Sequence, residues 1–325
     1  MAKLIIIQLL VFLCLNPAFG QQPLGYLLNE GQLRDTVSFQ NESNLIVIPI
    51  HIDGKGPYKF ILDTGSESSI IFNQYLIKKS AINKNRVVPI YSGEGKLVTE
   101  LLVARGLDVT FGGIRGKRQS MLVFQEYDLD IKNALGVDAV GILGSEIFNS
   151  LIVEVDYTNE KLIFHDPEEF NLLSGYRKVD IELKDSRPFI EVVIKQKGEK
   201  KTTVNLLVDS GASAPLFLDA ENNENIKVPD KNLRHTVGNS LNGIIDGKVG
   251  RVQKLKIKPF TFKKVVASFP INWDIQKKLI DPKDDLIRYG TIGSDALSRF
   301  RVIYDYFNEV VYLKPNNRYK NDFRF

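Results

Sequence analysis

The sequence predicts an all-β protein that is built from two similar halves and carries only short helices. Three observations lead to this prediction: β-branched segments with alternating polarity, glycine-rich turns between them, and a motif order that occurs twice. Helical periodicity is confined to short stretches. The predicted strands are 45–52, 58–63, 100–111, 150–157, 188–195 and 204–209, and the candidate helices are 145–149, 274–280 and 295–300.

The repeated motif is an acidic turn that follows an apolar strand. It reads FILDTGSESSII around Asp63 and LLVDSGASAPLF around Asp209. Asp63 is followed by Gly144 of GILG after 144 − 63 = 81 positions. Asp209 is followed by Gly293 of GTIG after 293 − 209 = 84 positions. Matched order at matched spacing indicates a tandem duplication, with its seam near residues 168–187.

This pattern divides the chain into five segments. Both repeats have the length of a modest domain, so each half is expected to form a lobe with its own core. The predicted segments are a signal peptide (1–20), an N-terminal segment (21–44), a first lobe (45–175), a second lobe (176–315) and a tail (316–325).

The first twenty residues have the pattern of an export signal. Lys3 supplies a positive charge, residues 4–15 form an apolar run, and Ala18 and Gly20 are small residues before the expected cut. The run is short for a membrane span, so we expect no stable membrane association after cleavage; a retained anchor is the alternative. The predicted location is the periplasm, the cell surface or the extracellular space, most simply of a bacterium.

Composition argues against several classes of function. The net charge is only +4 over 325 residues, and no basic stripe interleaved with aromatic residues occurs, so nucleic acid is not an expected partner. Cys14 is the single cysteine and lies in the signal, which leaves no disulfide or thiol nucleophile after cleavage. His51, His165 and His235 lack metal-ligand spacing, and no serine-nucleophile elbow occurs. We therefore expect no metal and no organic cofactor.

The two acidic motifs resemble the catalytic signatures of the aspartic peptidases. The signature matches are Asp63, Thr64 and Gly65 in the first half and Asp209, Ser210 and Gly211 in the second; the elements that support each loop in that family match Ile142, Leu143, Gly144, Thr291, Ile292 and Gly293. The resemblance covers most of the chain and is greatest to exported bacterial retropepsin-like proteins, many of which continue into a PDZ module about where this sequence stops. It implies two retropepsin-like (acid protease) β-barrel lobes related by a pseudo-twofold axis.

The resemblance also implies a mechanism. In this family two aspartates activate a water molecule for peptide hydrolysis, which here makes Asp63 and Asp209 the catalytic pair. Two carboxyl groups held close together cannot both ionise easily, so they share a proton. Gly65 and Gly211 lack a Cβ and permit the two loops to approach each other. Because one chain contains both halves, a monomer is expected.

Two glycine-containing hairpins are candidates for flaps that cover the substrate. YSGEGK supplies Tyr91, Ser92, Gly93 and Gly95, and GNSLNG begins at Gly238. Flaps of this kind exclude water and contact the substrate when they close. The alternative in both places is an ordinary hairpin turn.

The sequence therefore predicts an exported aspartic endopeptidase that acts on proteins or peptides. Its main alternative is an exported peptide-binding protein that keeps the fold but does not turn over, because a fold does not by itself imply activity. Autoprocessing as the sole reaction is a third alternative.

Overall fold

The structure is a computed structural model, and it describes residues 25–91, 97–125, 136–221, 223–240, 243–271 and 289–324. Strands dominate these residues, with one short helix, α1 (Ser294–Leu297), and two 3₁₀ turns, Gln74–Leu76 and Lys79–Ala81. The strands are β1 (Tyr26–Leu28), β2 (Arg34–Ser38), β3 (Gln40–Glu42), β4 (Leu45–Ile52), β5 (Lys55–Leu62), β6 (Ile70–Ile71), β7 (Ile82–Tyr91), β8 (Leu97–Phe111), β9 (Ile114–Phe124), β10 (Gly141–Leu143), β11 (Ile152–Asp156), β12 (Lys161–His165), β13 (Arg177–Asp180), β14 (Glu182–Lys184), β15 (Arg187–Lys195), β16 (Lys201–Asp209), β17 (Leu216–Leu218), β18 (Leu233–Ser240), β19 (Gly243–Ile257), β20 (Phe260–Pro270), β21 (Gly290–Gly293), β22 (Phe300–Asp305) and β23 (Val310–Pro315).

Each half closes into a six-stranded barrel. In the first barrel the hydrogen-bonded neighbours run β9, β6, β10, β5, β4 and β8, and β8 pairs back with β9. In the second they run β20, β17, β21, β16, β15 and β19, and β19 pairs back with β20. Closure satisfies the backbone groups that an open sheet would leave at its edges. The two orders correspond strand by strand, which confirms the predicted all-β class with two related barrel lobes.

A third sheet joins the halves. Its six strands lie in the order β13, β23, β22, β11, β12 and β2. Three strands of the second half are therefore hydrogen-bonded, in one sheet, to three strands of the first half. At its centre β11 and β22 pair antiparallel, with Val153 opposite Tyr304. The order is symmetric about this pair, because β2, β11 and β12 correspond to β13, β22 and β23. The lobes are therefore held together by main-chain hydrogen bonds as well as by side-chain packing.

A buried carboxylate strengthens the central pair of this sheet. Glu154 on β11 accepts hydrogen bonds from the Tyr176 hydroxyl at 2.8 Å and from Arg301 on β22, and its Oε2 lies 2.9 Å from His165 Nε2. Burial alone would raise the pKa of Glu154, but the hydrogen bonds from His165 and Tyr176 and the charge of Arg301 lower it overall. The side chains therefore add an ionic link across the junction of the lobes.

The core explains why the strands are almost continuously apolar. On β4, Ile48 and Ile50 point into the main core, whereas Leu45 and Val47 reach a second cluster on the opposite face. Both faces of a strand in this position are covered, so alternation with polar residues is largely lost. Edge positions such as β2 keep the alternation and bury one residue, Val37, between exposed neighbours.

The predicted strands agree with the structure, whereas two of the predicted helices are reduced to a turn and to a shorter helix. Residues 145–149 form an isolated turn, closed by a hydrogen bond from Asn149 N to Ser145 O, because the chain must enter β11 a few residues later. The helix predicted at 295–300 is limited to α1, and Phe300 already begins β22. The candidate at 274–280 lies outside the described residues. Such short helices gain little from propensity and depend on the packing around them.

The described ends of the chain are integrated into the lobes. Within the predicted N-terminal segment, β1 pairs with β9 of the first barrel and β2 pairs with β12 of the shared sheet. Within the predicted tail, Phe323 packs in the main core. None of the helices in the described residues is long and apolar enough to cross a membrane.

The packing of Phe323 predicts a large effect of truncating it. Phe323 is 3% exposed and its ring centroid lies 5.5 Å from that of Phe262. We expect Phe323→Ala to lower the free energy of unfolding by about 3 kcal/mol, because it opens a cavity in a packed core. Phe307→Ala is the matched control, since Phe307 is 52% exposed. Equal losses in the two variants on chemical denaturation would contradict the packing described here.

Candidate active site

The two aspartates occupy equivalent places at the ends of two barrel strands. Asp63 follows β5 and Asp209 is the last residue of β16. Each strand pairs in parallel with a short strand, so that Leu62 lies opposite Leu143 and Asp209 lies opposite Gly293. In addition, Asp63 N donates to Leu143 O at 3.0 Å. Both aspartate loops thus begin from backbones that are fixed by the barrel.

Reciprocal hydrogen bonds hold the two loops against each other. Thr64 Oγ1 accepts from Ser210 N at 2.9 Å and donates to Val208 O at 2.7 Å. In the opposite direction, Ser210 Oγ accepts from Thr64 N at 3.0 Å and donates to Leu62 O at 2.9 Å. Both hydroxyl groups are buried and each uses its donor and an acceptor site. A short hydroxyl side chain is needed at both positions, because it must reach an N–H and a C=O of the other lobe at once.

The glycines permit the carboxyl groups to come together. A Cβ at Gly65 would lie 2.6 Å from Asp209 Cγ, and a Cβ at Gly211 would lie 2.4 Å from Asp63 Cγ. Any side chain at these positions would therefore displace the opposite aspartate. The glycines also orient the carboxyls, since Gly65 N donates to Asp63 Oδ1 at 2.7 Å and Gly211 N donates to Asp209 Oδ1 at 2.8 Å.

The electrostatics of the pair favour a shared proton. Burial raises the pKa of Asp63 well above its usual range, and the neighbouring charge of Asp209 raises it further. The Gly65 N–H opposes this shift by stabilising the ionised form. A proton on Asp63 relieves the repulsion between the two carboxyls. The pair can thus present one protonated and one ionised carboxyl side by side.

The supporting residues of the first half lie directly behind the loop of Asp63. Ile142 pairs with Ile61 on one side and Ile70 on the other, and Leu143 is fully buried. A Cβ at Gly144 would lie 2.7 Å from the backbone of Ser68, so the close packing of these segments requires glycine. Residues 142–144 therefore hold both ends of the Asp63 loop in place.

The second half repeats this support around Asp209. Ile292 pairs with Val208 and Leu216, and a Cβ at Gly293 would lie 2.1 Å from Ala214 O. Thr291 is buried beside them on β21. The same backbone arrangement therefore serves both aspartates.

Two residues at the site were not found by sequence reasoning. Glu146 accepts hydrogen bonds from Ser69 N at 2.9 Å and Ser69 Oγ at 2.8 Å, and Ser69 Oγ in turn accepts from Gly144 N at 3.0 Å. This chain of bonds ties the end of the first aspartate loop to its supporting element. A sequence signal existed, because a serine and an acidic residue follow the supporting glycine in both halves: GSE and GSD.

The second residue is Tyr306, which is buried in the core near the pair. Burial raises the pKa of its hydroxyl well above the usual value, and the charges of Asp63 and Asp209 raise it further. Its ring stacks on Phe148 with a centroid distance of 5.4 Å. The signal for it was the aspartate-tyrosine pair that occurs at the end of both β11 and β22.

The flap candidates are placed only in part. Tyr91 is the last residue of β7, whereas Ser92, Gly93 and Gly95 lie outside the described residues. Gly238 lies on β18, where an added Cβ would be 3.5 Å from the Phe217 ring. The strands β7 and β8, like β18 and β19, form corresponding hairpins in the two halves. The flap role of these residues stays a prediction.

The described residues offer no competing metal site. Across the ranges that the structure describes, no group of three or more His, Cys, Asp or Glu side chains lies close enough to hold a metal ion. His165 instead lies against Glu154 in the sheet that joins the lobes. Two neighbouring carboxyls of which one holds a proton can supply a general acid and a general base.

The reciprocal bonds predict that Thr64→Val destabilises the fold although the side chains have nearly the same shape. The variant leaves the buried Ser210 N and Val208 O without their partner. We expect a loss of about 2 to 4 kcal/mol in the free energy of unfolding. Thr203→Val on the exposed side of β16 is the control and should change little. An unchanged stability of Thr64→Val would show that these bonds do not hold the loops.

The raised pKa of Asp63 predicts a specific dependence of stability on pH. The folded chain keeps this proton to a higher pH than the unfolded chain, so its contribution is full below the ordinary carboxyl pKa and is lost as the pH rises through the folded-state pKa. We expect Asp63→Asn to remove that loss, and its stability advantage over the parent to grow from about pH 4 upward. Chemical denaturation at several pH values measures this, with the exposed Asp230→Asn as control. A constant difference between Asp63→Asn and the parent at all pH values would contradict the assignment.

Comparison with known proteins agrees with this geometry. The family model described as aspartyl protease matches residues 48–147 and 190–295, and each matched range contains one of the two aspartates. Among solved structures, the crystal structure of aspartic proteinase from Irpex lacteus matches with a TM-score of 0.54 and 17% identity, over 89% of this chain and 99% of that chain. At that identity the match shows a common fold. Among curated proteins, no significant match is found. Because the family model spans both lobes and more than half of the sequence, the chain belongs to the aspartyl protease family.

Proposed function

We propose that the protein is an exported aspartic endopeptidase that hydrolyses peptide bonds in proteins or peptides. One observation carries the proposal: two carboxyls from equivalent loops meet so closely that the Cβ missing at each following glycine would lie within 2.6 Å of the opposite carboxyl carbon. Family membership supports the same reaction class. The catalytic roles are assigned to Asp63 and Asp209.

The proposed mechanism uses the single proton of the pair. The ionised carboxyl takes a proton from a water molecule whose oxygen attacks the peptide carbonyl carbon, while the protonated carboxyl donates its proton to the carbonyl oxygen. The neutral tetrahedral intermediate then breaks its C–N bond as the nitrogen receives a proton from the pair and one hydroxyl group of the intermediate gives its proton back to the pair. A carboxylic acid and an amine leave, and the shared proton is restored. Which aspartate starts as the acid is a property of the pair rather than of one residue.

Two further parts of the proposal concern the oligomeric state of the protein and its location. One chain contributes both aspartates, so we propose a monomer as the active species. Export is proposed from the signal-like pattern of residues 1–20. The twofold pattern of hydrogen bonds between Thr64 and Ser210 is in keeping with a monomer, since each loop finds its partner within the chain.

A cleavage experiment tests the proposed reaction. The purified chain, Asp63→Asn and Asp209→Asn are incubated with a diverse peptide library from about pH 3 to pH 8, and the products are read by mass spectrometry. We expect the parent to cut and each variant to lose roughly 10² to 10⁴-fold in rate, because each removes the acid–base pair. Asp230→Asn is the matched control and should cut like the parent, since Asp230 is exposed and remote in sequence from both loops.

The outcomes separate the proposed reaction from its alternatives. If the folded parent cuts no peptide at any pH but retains peptides that Asp63→Asn also retains, the protein is a peptide-binding relative without turnover. If the products derive from the chain itself and no library peptide is cut, autoprocessing is its reaction. Equal cutting by the parent and both asparagine variants would exclude the proposed pair.

A further inference from the structure

A polar cavity of about 720 Å³ lies at the second lobe, away from the aspartate pair. Three guanidinium groups line it, from Arg299 after α1 and from Arg318 and Arg324 near the end of the chain. Asn44, from the hairpin between β3 and β4 of the first half, completes one side. Neither Asp63 nor Asp209 is among the lining residues. We refer to this space as the arginine cavity.

The guanidinium group of Arg299 is fixed by contacts within the chain, although one of its N–H groups lacks a hydrogen-bond partner among the described residues. Its side chain is only 4% exposed, and its guanidinium carbon lies 3.6 Å from the centroid of the Phe323 ring. The Nη1 group donates to the backbone carbonyls of Arg318, at 3.3 Å, and Asn321. The buried Nε has no hydrogen-bond partner among the described residues. Stacking on Phe323 and the two carbonyl contacts therefore fix the guanidinium group at the wall of the cavity.

The acids in the cavity do not balance the arginines. Asp295 and Asp322 are the two acidic residues of the lining, against three arginines. Asp295 Oδ1 lies 3.7 Å from Arg299 Nη2, which is long for a charged hydrogen bond. Burial raises the pKa of Asp295, although the charges of Arg299 and Arg318 oppose the shift. The excess of positive charge therefore favours a bound anion.

We propose that the arginine cavity binds an oxyanion, the carboxylate or phosphate group of a small molecule, between Arg299, Arg318 and Arg324. Guanidinium groups bind both kinds of group through paired, charge-assisted hydrogen bonds. The volume exceeds what a single inorganic ion needs. A second cavity of about 600 Å³ shares Asn44 and Arg318 with it. Its other lining groups are polar, among them Ser43 and the carboxyl group of Glu160, so the ligand has room for a polar remainder that donates hydrogen bonds.

The position of the cavity connects it to both lobes. Asn44 Nδ2 donates to Ser213 O at 3.4 Å, and Ser213 follows the loop of Asp209. On the other side, Ser294 of α1 donates its hydroxyl proton to Ser210 O at 2.8 Å. A ligand here thus contacts elements that lead to the Asp209 loop without entering the site of the aspartates. Binding at this cavity does not depend on whether the chain cleaves peptides.

Calorimetric titration of the full chain tests the proposal. Citrate and inorganic phosphate are the probes, each titrated at constant ionic strength set with sodium chloride, so that general screening is the same in every run. We expect saturable binding of at least one probe, and a matching rise in thermal stability with its concentration. Binding of citrate alone assigns the site to carboxylates, and binding of phosphate alone assigns it to phosphates.

Variants locate the binding. Arg318→Gln, on a partly exposed residue, should weaken binding roughly tenfold, the loss of one charge-assisted interaction. Arg177→Gln removes the same charge from exposed β13, outside the cavity, and should bind like the parent. Arg299→Gln is a second test if it folds, and it should bind more weakly still. The proposal is overturned if neither probe binds above the chloride background, or if Arg318→Gln and Arg177→Gln bind as the parent does.

Discussion

The structure depends on the reciprocal hydrogen bonds between Thr64 and Ser210. These residues come from loops that are 146 positions apart in the chain, and each hydroxyl accepts from one backbone N–H and donates to one carbonyl of the opposite lobe. Because the bonds are buried, neither loop can move without leaving polar groups unsatisfied. The two barrels and the sheet between them hold these loops at the distance that the hydrogen bonds require. At that distance the two aspartates lie next to each other.

Holding the aspartates together has an electrostatic cost that the rest of the fold must offset. Burial and the charge of Asp209 both disfavour the ionised form of Asp63, and only the N–H groups of the following glycines act in the opposite direction. The closed barrels and the ionic link at Glu154 supply stability elsewhere. The unfavourable electrostatic energy of the two carboxyls is thereby confined to a small region. Groups with perturbed pKa values often cluster in this way at functional sites, which is in keeping with the proposed role of the pair.

Duplication has preserved the backbone more closely than the side chains. Each supporting glycine is followed by a serine and an acid, but the acids have different partners: Glu146 binds Ser69, whereas Asp295 faces Arg299. In the first half this contact fixes the aspartate loop. In the second half the corresponding region borders the arginine cavity. Equivalent positions in the two lobes have thus taken on separate roles while the symmetric frame around the aspartates was kept.

The sequence by itself determined the strands and the duplication, because periodicity, turn residues and repeated spacing can be read along the chain. The resemblance of the two acidic motifs to the aspartic peptidases identified which aspartates pair. The extended segment at β4 and the two Asp-Thr/Ser-Gly motifs are examples. Tertiary structure decided that residues 145–149 form a turn, that β2 and β13 flank a sheet shared by both halves, and that Glu146 binds Ser69. It also brought Asn44 to Arg299 and Arg318. These features arise from contacts between residues far apart in the chain, and no local pattern specifies which distant groups will meet when the barrels close.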